Sequence, residues 1–219
     1  MKRQRVAATG RADAAGASGK RERDRLAMRA RLLDAARRIA AEDGWQAVTI
    51  RRIADRLEYA SPILYQHFPN KDALLFELVD IGFQEMTSAL RPAGEVAHGQ
   101  VLTTLATAYW DFAFATPELY RAMHGLDGVP FGTSRTPEHA HATFTMVRAA
   151  LLRLAASRDR TLPDPDGSVD VIWAYLHGFV SLTISHRIAG GPERAHALML
   201  RGLPPLFESL TAALPPSAR

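Results

Sequence analysis

The chain of 219 residues contains no cysteine and no long uninterrupted apolar run. The absence of cysteine excludes disulfides, thiol catalysis, iron–sulfur clusters and zinc sites built on thiolates. No apolar stretch approaches the ~18–20 residues that a membrane span needs, and the basic N-terminus lacks the apolar core of a secretory signal. The sequence therefore predicts a soluble, cytoplasmic protein without a membrane partner, long enough for one or two domains.

The net charge of +4 is divided unevenly along the chain. Residues 1–71 carry 16 Lys or Arg against 8 Asp or Glu, whereas residues 72–219 carry 11 against 15. Residues 1–25 supply 8 of the basic and 3 of the acidic side chains, yet residues 26–71 still balance at +3. This asymmetry indicates that the N-terminal part meets a polyanion such as a nucleic acid, whereas the remainder does something else.

The spacing of apolar residues predicts an all-α fold that follows an N-terminal arm. Residues 1–22 mix alanine, glycine, serine and arginine without an apolar period, so they predict a disordered basic arm. Apolar residues then recur every three or four positions, and no alternating strand pattern is present. Gly44 should end the first helix, and Pro204-Pro205 should bend or stop the last one. Further helices are predicted from residues 49, 61 and 71, over about 98–115, 117–124, 137–157 and 169–189, and after Gly191-Pro192.

The first three predicted helices form a helix-turn-helix arrangement. Only residues 58–60 separate the second helix, which Thr49 should cap, from the third. In such proteins the third helix lies in the DNA major groove. Here Leu64 and Phe68 point inward, so the third helix presents the other side chains outward, namely Ser61, Pro62, Ile63, Tyr65, Gln66 and His67.

The outward side chains have the chemistry of DNA contacts. Gln66 can pair with adenine, and Ile63 can touch a thymine methyl group. Tyr65 and His67 can donate to phosphates, and cations or helix N–H groups near Thr49, Arg51 and Lys71 favour phosphate as well. Short amphipathic helices with a surface tyrosine and histidine are also common, so spacing alone leaves an ordinary helical surface as an open alternative.

The stretch from Arg29 to Phe76, above all VTIRRIADRLEYASPILYQHFPNKDALL (48–75), resembles the DNA-binding domain of the tetracycline-repressor (TetR) family. The resemblance implies that residues 23–71 form this domain. It also implies that Thr49, Tyr65, His67 and Lys71 contact phosphates, and that Arg51, Ser61, Pro62, Ile63 and Gln66 help read bases. The chain departs from the family pattern in the turn, where Glu58 replaces the usual glycine and Ala60 the usual serine. We therefore expect the helix cap to move from position 60 to Ser61.

The resemblance further implies that residues 72–219 form a helical domain that binds a small effector and dimerises through its last two long helices. The segment WAYLHGFVSL (173–182) resembles a subgroup of TetR-like regulators with a Trp/His-Gly helix. Trp173 and His177 are four residues apart and share one helix face, so they are predicted to line a pocket. Candidate walls on other helices are Trp110, Phe114 and Phe144, with plain core packing as the alternative for every one of these residues.

The sequence thus predicts a homodimeric repressor that a small apolar or aromatic effector releases from a palindromic DNA operator. No catalytic triad, phosphate-binding glycine loop or cofactor motif is evident, so we expect no enzyme activity and no cofactor. His139 and His141 lie two residues apart and do not share a helix face, so no metal site is predicted. The alternatives are a helical small-molecule binding protein or enzyme with a vestigial head, and a non-specific nucleoid protein. Whether the basic arm contacts DNA is left open.

Overall fold

The computed structural model describes residues 2–124 and 136–213 of the chain, with side chains for residues 19–124 and 136–212. The chain divides into two compact units, Met1–Glu77 (unit 1) and Leu78–Arg219 (unit 2). This division falls inside helix Lys71–Leu90, whereas the sequence places the end of the DNA-binding domain at residue 71, where that helix begins. The Gly-rich stretch GLDGVPFGTS (125–134), whose composition predicts a loop, lies outside the described residues.

Unit 1 contains three helices and the beginning of a fourth. They are α1 (Lys2–Asp43), α2 (Ile50–Leu57), α3 (Ser61–Tyr65) and the start of α4 (Lys71–Leu90). Gly44 ends α1 with a φ of 79°, which favours glycine, and Thr49 caps α2 by accepting the Arg52 N–H at 3.1 Å. Both local predictions are confirmed. The core of unit 1 is made of apolar side chains from these helices and from the segments between them, among them Leu32, Ala36, Ile39, Val48, Ile53, Leu64, Phe68 and Leu74.

Helix α1 extends to Lys2, whereas the composition of residues 1–22 predicts a disordered arm. Side chains 20–27 are exposed, and Leu26 retains 52% of its accessible surface. Local interactions such as the Arg25–Glu22 ion pair at 2.7 Å accompany the helix there. Alanine and arginine are strong helix formers, which explains a helical backbone without an apolar packing face. The structure does not test whether this segment contacts DNA.

The predicted shift of the α3 cap to Ser61 is wrong. Ala60 is the N-cap in the extended region, and its carbonyl accepts the Ile63 N–H at 3.0 Å, so Ser61 is already helical. The physical reason lies in the turn, where Glu58 adopts the left-handed conformation at a φ of 58°. The chain therefore reverses at the position where the family pattern has glycine, and α3 keeps its start although alanine provides no capping oxygen.

Unit 2 is a bundle of helices. It contains the rest of α4, followed by α5 (Val101–Ala115), α6 (Pro117–His124), α7 (Glu138–Ala156), α8 (Pro165–Ile184) and α9 (Gly191–Ser209). Two 3-10 turns, Arg91–Gly94 and His98–Gln100, connect α4 to α5. Helix α8 packs against α7 and α9, and α5 packs against α9. Buried side chains from these helices form one core, including Phe83, Leu105, Leu151, Val180 and Met199.

Three details of unit 2 correct the predictions. Helix α8 begins at Pro165 rather than at residue 169, because the Asp164 carboxylate accepts the Gly167 N–H at 2.9 Å and caps the helix earlier. Helix α9 continues through Pro204 and Pro205, with Phe207 fully buried beyond them. Two short strands, β1 (Arg160–Thr161) and β2 (Ala212–Ala213), pair antiparallel where no strand was expected.

Helix α8 also corrects the expectation about apolar runs. By length and composition, Pro165–Ile184 is long and apolar enough to cross a membrane, and 33% of that apolar stretch is buried inside the structure. Val169, Ile172, Leu176 and Val180 of this helix are buried in the core of unit 2. Core helices of soluble proteins have the same composition, so this feature is weak evidence for a membrane partner.

Candidate nucleic-acid interface and ligand cavity

Helix α3 has one buried side and one exposed side. Leu64 and Phe68 each retain 1% of their accessible surface, whereas Tyr65 retains 54% and Ile63 36%. The other predicted base-reading positions on this helix are exposed at Pro62 and Gln66 and half-buried at Ser61, and His67 is half-buried. A short helix anchored by two apolar residues thus presents a mixed polar and apolar edge of the kind that fits a major groove.

The beginning of α2 supplies further groups that can bind phosphate. The Thr49 hydroxyl oxygen accepts the Arg52 N–H, so its own proton remains available to donate. The Arg51 side chain is 89% exposed and lies 3.9 Å from the Asp55 carboxylate, a long and weak ion pair. Both groups can therefore turn to a DNA phosphate without breaking a buried contact.

Lys71, at the first position of α4, is held in place by a backbone carbonyl. Its Nζ donates to the Trp45 oxygen at 2.9 Å, which ties the start of α4 to the turn that precedes α2. An ammonium group has three protons, so two remain for a phosphate. Lys71 thus combines a structural contact with the predicted phosphate contact.

Arg29 of α1 fixes the segment that follows α3, a role that sequence reasoning missed. Its guanidinium donates to the His67 carbonyl, pairs with the Glu77 carboxylate and lies 4.3 Å above the centre of the Phe68 ring. One side chain therefore joins α1, the segment after α3 and α4 within unit 1. A lone arginine on a helix carries no local signal for such a contact, since its partners lie 38 and 48 residues away.

His67 is neutral in this environment. Burial, followed by the Arg29 and Arg25 charges, lowers the pKa of its imidazole. Among the described residues its Nδ1 is buried without a hydrogen-bond partner. If the ring proton is on Nε2, the buried Nδ1 is an unpaired acceptor rather than an unpaired donor, which is the less costly arrangement. In this tautomer His67 can give a phosphate one neutral N–H donor but no positive charge.

In unit 2, a chain of hydrogen bonds runs through side chains of α5, α6 and α8. The hydroxyl groups of Tyr109 and Tyr120 lie 3.0 Å apart, and the Tyr120 hydroxyl lies 2.6 Å from His177 Nδ1. The other ring nitrogen of His177 lies 3.1 Å from the Ser181 hydroxyl. Burial lowers the pKa of His177 and raises the pKa of both tyrosines, so all four groups are neutral near pH 7.

His124 is a second neutral histidine beside this chain. Its Nδ1 lies 3.1 Å from the Tyr120 carbonyl, which can only accept, and its Nε2 lies 3.4 Å from Trp173 Nε1, which can only donate. These partners assign the ring proton to Nδ1. Burial, with a smaller effect of His177, lowers the pKa of His124 to about 4.

A cavity of about 250 Å³ lies beside the two histidines. The His124 and His177 rings stack with centroids 4.9 Å apart, and Tyr109 meets Trp173 edge to face at 5.8 Å. The cavity is lined by Tyr120, Arg121, His124, His177, Ser181 and Ile184. Its wall therefore combines aromatic faces with hydrogen-bonding groups, which is the usual character of a small-molecule site.

Comparison with known proteins places the chain in a family. Residues 32–78 match bacterial regulatory proteins of the tetR family, and residues 102–203 match a tetracyclin repressor-like C-terminal domain. The HTH-type transcriptional repressor Rv1474c of Mycobacterium tuberculosis is 36% identical over 181 residues, which cover 80% of this chain and 91% of that protein. The chain belongs to the TetR family.

Other relatives agree with this assignment. KstR, an HTH-type transcriptional repressor of Mycolicibacterium smegmatis, is 33% identical over 108 residues, which cover 49% of this TetR-family chain and 47% of KstR. The chain spans at most about half the length of the KstR repressors that it matches. A protein of unknown function from Rhodococcus sp. RHA1 has a similar structure, with a TM-score of 0.71, 26% identity and coverage of 83% of this chain and 94% of that one. TetR-family regulators bind DNA and small-molecule effectors and act as dimers.

The predicted TetR-type architecture, a helix-turn-helix head followed by a helical C-terminal domain, is confirmed. The predicted pocket residues do not form one cluster within the described residues. His177 lines the cavity, and Trp173 Nε1 donates to His124 Nε2. The Trp110 ring is tilted against the Phe114 ring, with centroids 4.5 Å apart, and against the His196 ring, at 5.0 Å. Phe144 is half-buried and packs against the core of unit 2.

Sequence reasoning missed Tyr109, Tyr120 and His124, which take part in the hydrogen bonds around the cavity. The spacing of Tyr120 and His124, four residues apart on one helix face, is the signal that could have indicated them. His139, the other candidate ligand, is engaged elsewhere, since its Nδ1 lies 2.8 Å from an Asp80 carboxylate oxygen. Across residues 19–124 and 136–212, no group of three potential metal ligands is found.

Proposed function

We propose that this chain is a dimeric, sequence-specific transcriptional repressor of the cytoplasm. Its recognition helix α3 enters the major groove of a palindromic operator, and a small effector lowers its affinity for that operator. The observation that carries the proposal is the exposed edge of α3, which Leu64 and Phe68 hold on the core of unit 1. The match of residues 32–78 to TetR regulators supports the same role.

The exposed groups divide into two kinds of DNA contact. Gln66 and Ile63 stand on the exposed side of α3 and can reach base edges, as the resemblance also implies for Arg51, Ser61 and Pro62. We assign the phosphate contacts to the remaining predicted residues, which carry hydrogen-bond donors. These are Thr49, Tyr65, His67 and Lys71.

A second copy of the chain is the proposed partner of α8 and α9. Val171 and Leu182 of α8 retain 39% and 44% of their accessible surface although both are large and apolar. A two-fold axis through this surface would cover them and relate the two recognition helices. Two such helices in successive major grooves require half-sites about 34–36 Å apart. Because a two-fold axis relates the helices, the proposed operator is palindromic.

The effector site of the proposal is the cavity beside His177 in unit 2. Trp173 supports it through His124, and Trp110, Phe114 and Phe144 stay predicted walls without a contact to it among the described residues. An effector that binds more tightly to the conformer with lower DNA affinity weakens operator binding. Because the two equilibria are linked, operator DNA weakens effector binding by the same factor.

One observation favours a second candidate, an esterase-like enzyme, because Ser181 and His177 lie 3.1 Å apart like a nucleophile and its base. The surrounding hydrogen bonds argue against it. Tyr109 is buried and its hydroxyl contacts only Tyr120 among the described residues, so the chain of protons runs from Tyr109 to Tyr120 to His177 Nδ1. His177 then carries its proton on Nε2 and cannot accept one from Ser181.

A mobility-shift titration across salt concentrations tests the proposal, with DNA from upstream of the chain's own gene against scrambled DNA. The repressor predicts tighter binding to the upstream DNA after the salt effect is removed. Equal affinity for both DNAs would refute the proposed repressor function and favour a non-specific nucleoid protein. Ligand binding without DNA binding would favour a small-molecule binding protein with a vestigial DNA-binding head.

Variants separate phosphate contacts from base contacts in the same assay. Tyr65→Ala or Lys71→Gln should weaken binding to all DNA sequences alike, because a phosphate contact carries no sequence information. Gln66→Ala should instead change the preferred base at one operator position. An unchanged base preference in this variant would remove Gln66 from the proposed recognition set.

A further inference from the structure

The cavity of unit 2 has one charged side chain in its lining. Arg121 is exposed at the cavity and, among residues 19–124 and 136–212, has no ion-pair partner. The two histidines add no charge near pH 7, because burial lowers the pKa of both. The remaining lining residues, Tyr120, Ser181 and Ile184, are neutral as well, so the described lining of the cavity carries one positive charge.

A second feature favours a ligand that accepts hydrogen bonds. The direction of the proton chain from Tyr109 through Tyr120 makes His177 Nε2 a donor to the Ser181 oxygen. The Ser181 hydroxyl proton can then be donated to the Tyr120 oxygen, with which Ser181 also forms a hydrogen bond, or to a ligand in the cavity. A carboxylate is the stronger acceptor for this proton, because hydrogen bonds to a charged group are roughly twice as strong as those between neutral groups.

The remaining surface and the volume fit an aromatic ring. The stacked imidazoles of His124 and His177 present flat faces, and Ile184 adds an apolar contact. A cavity of about 150 Å³ holds benzene. A cavity of about 250 Å³ therefore has room for one ring with a small substituent.

We propose that this cavity binds a small aromatic carboxylate, whose carboxylate group lies between Arg121 and Ser181 and whose ring lies against His124, His177 and Ile184. The inference rests on the proposed function, in which this cavity is the effector site, and names the chemical class of the effector. An arginine fork and a hydroxyl donor match a carboxylate in both charge and geometry. A cation of the same shape would be repelled by Arg121, and a neutral analogue would lose the charge-assisted bond.

Three probes of nearly equal shape test the charge requirement on the full-length protein: benzoate, benzamide and benzamidine. Isothermal calorimetry at pH 7 should give a Kd for benzoate at least tenfold below that for benzamide, with no detectable binding of benzamidine. Arg121→Gln should bring the benzoate Kd to the benzamide value, and Ser181→Ala should raise it several-fold. Arg91→Gln serves as the matched control, because Arg91 is exposed outside the cavity, and should leave the benzoate Kd unchanged.

The inference is overturned if benzamide or benzamidine binds as tightly as benzoate, if none of the three binds at 10 mM in roughly physiological salt, or if Arg121→Gln has no effect. A mobility shift with benzoate separates this inference from the proposed function. Arg121-dependent benzoate binding that leaves the DNA complex intact would keep the ligand class and refute the effector role. Release of DNA by benzamide, but not by benzoate, would keep the effector role and refute the ligand class.

Discussion

Acidification should destabilise the protein through His124, which the fold holds in its neutral form. Its Nδ1–H donates to the Tyr120 carbonyl, and its Nε2 accepts the Trp173 N–H. A proton on Nε2 would remove the acceptor that Trp173 uses and would place a charge against the His177 ring. Burial is the largest cause that lowers the pKa of His124 to about 4.

The expected magnitude follows from proton binding by the folded and unfolded chains. An unfolded chain protonates this histidine near pH 6.5, so between about pH 6.5 and 4 it binds a proton that the folded chain does not. The free energy of unfolding then falls by about 1.4 kcal/mol per pH unit as the pH falls. From pH 7 to pH 5 the loss from His124 alone is about 2 kcal/mol, and His177, whose pKa is also lowered, adds to it in the same direction.

Urea unfolding at fixed protein concentration, followed by tryptophan fluorescence between pH 7 and 5, measures this loss. His124→Asn, which retains an amide donor for the Tyr120 carbonyl, should be less stable at pH 7 but lose about 2 kcal/mol less on acidification than the wild type. His141→Asn is the control for the same change of residue type at an exposed position. Equal slopes for the wild type and His124→Asn would refute the argument that burial keeps His124 neutral.

Three further predictions concern unit 1. Glu58→Gly should stabilise unit 1 by about 1 kcal/mol, because glycine adopts the φ of 58° without strain. Hydrogen exchange of the full chain measures this gain, and an equal gain from Glu58→Ala would contradict the reason. Thr49→Ala should cost about 1 kcal/mol in unfolding experiments and weaken DNA binding in fluorescence anisotropy. Thr49→Ser, which keeps the hydroxyl, should preserve both, and a loss in this variant would exclude the cap as the cause. Arg29→Met should lower stability by about 2 kcal/mol in urea unfolding, since the His67 carbonyl, Glu77 and Phe68 all lose a partner; a loss below about 0.5 kcal/mol would show that these contacts contribute little.

Much of unit 1 was predictable because its determinants lie close together in the chain. The cap at Thr49, the stop at Gly44 and the inward pair Leu64 and Phe68 depend on residues within one or two helical turns. The start of α3 shows the limit of such reasoning. Serine is the better capping residue, yet the left-handed Glu58 places Ala60 at the cap position, and a backbone conformation overrides a side-chain preference.

The helix ends of unit 2 were less predictable because tertiary packing competes with local preference. Two consecutive prolines predict a break, but α9 continues through Pro204 and Pro205 while Leu203 and Phe207 remain buried on either side of them. The start of α8, by contrast, depends on a local signal, the cap that Asp164 provides. The apolar pattern alone does not include this signal.

Periodicity and short-range capping along the chain were enough to predict the helical class, the helix-turn-helix head and the exposed edge of α3. The set of aromatic and titratable side chains that share a cavity depends instead on tertiary packing. Tyr120 and His177 are 57 residues apart, and Trp173 and His124 are 49 residues apart, so their contacts depend on how α6 and α8 pack. In unit 1, tertiary packing likewise brought Arg29 of α1 to the His67 carbonyl, 38 residues away. Contacts across such distances depend on the whole core at once, and no local pattern in the chain encodes them.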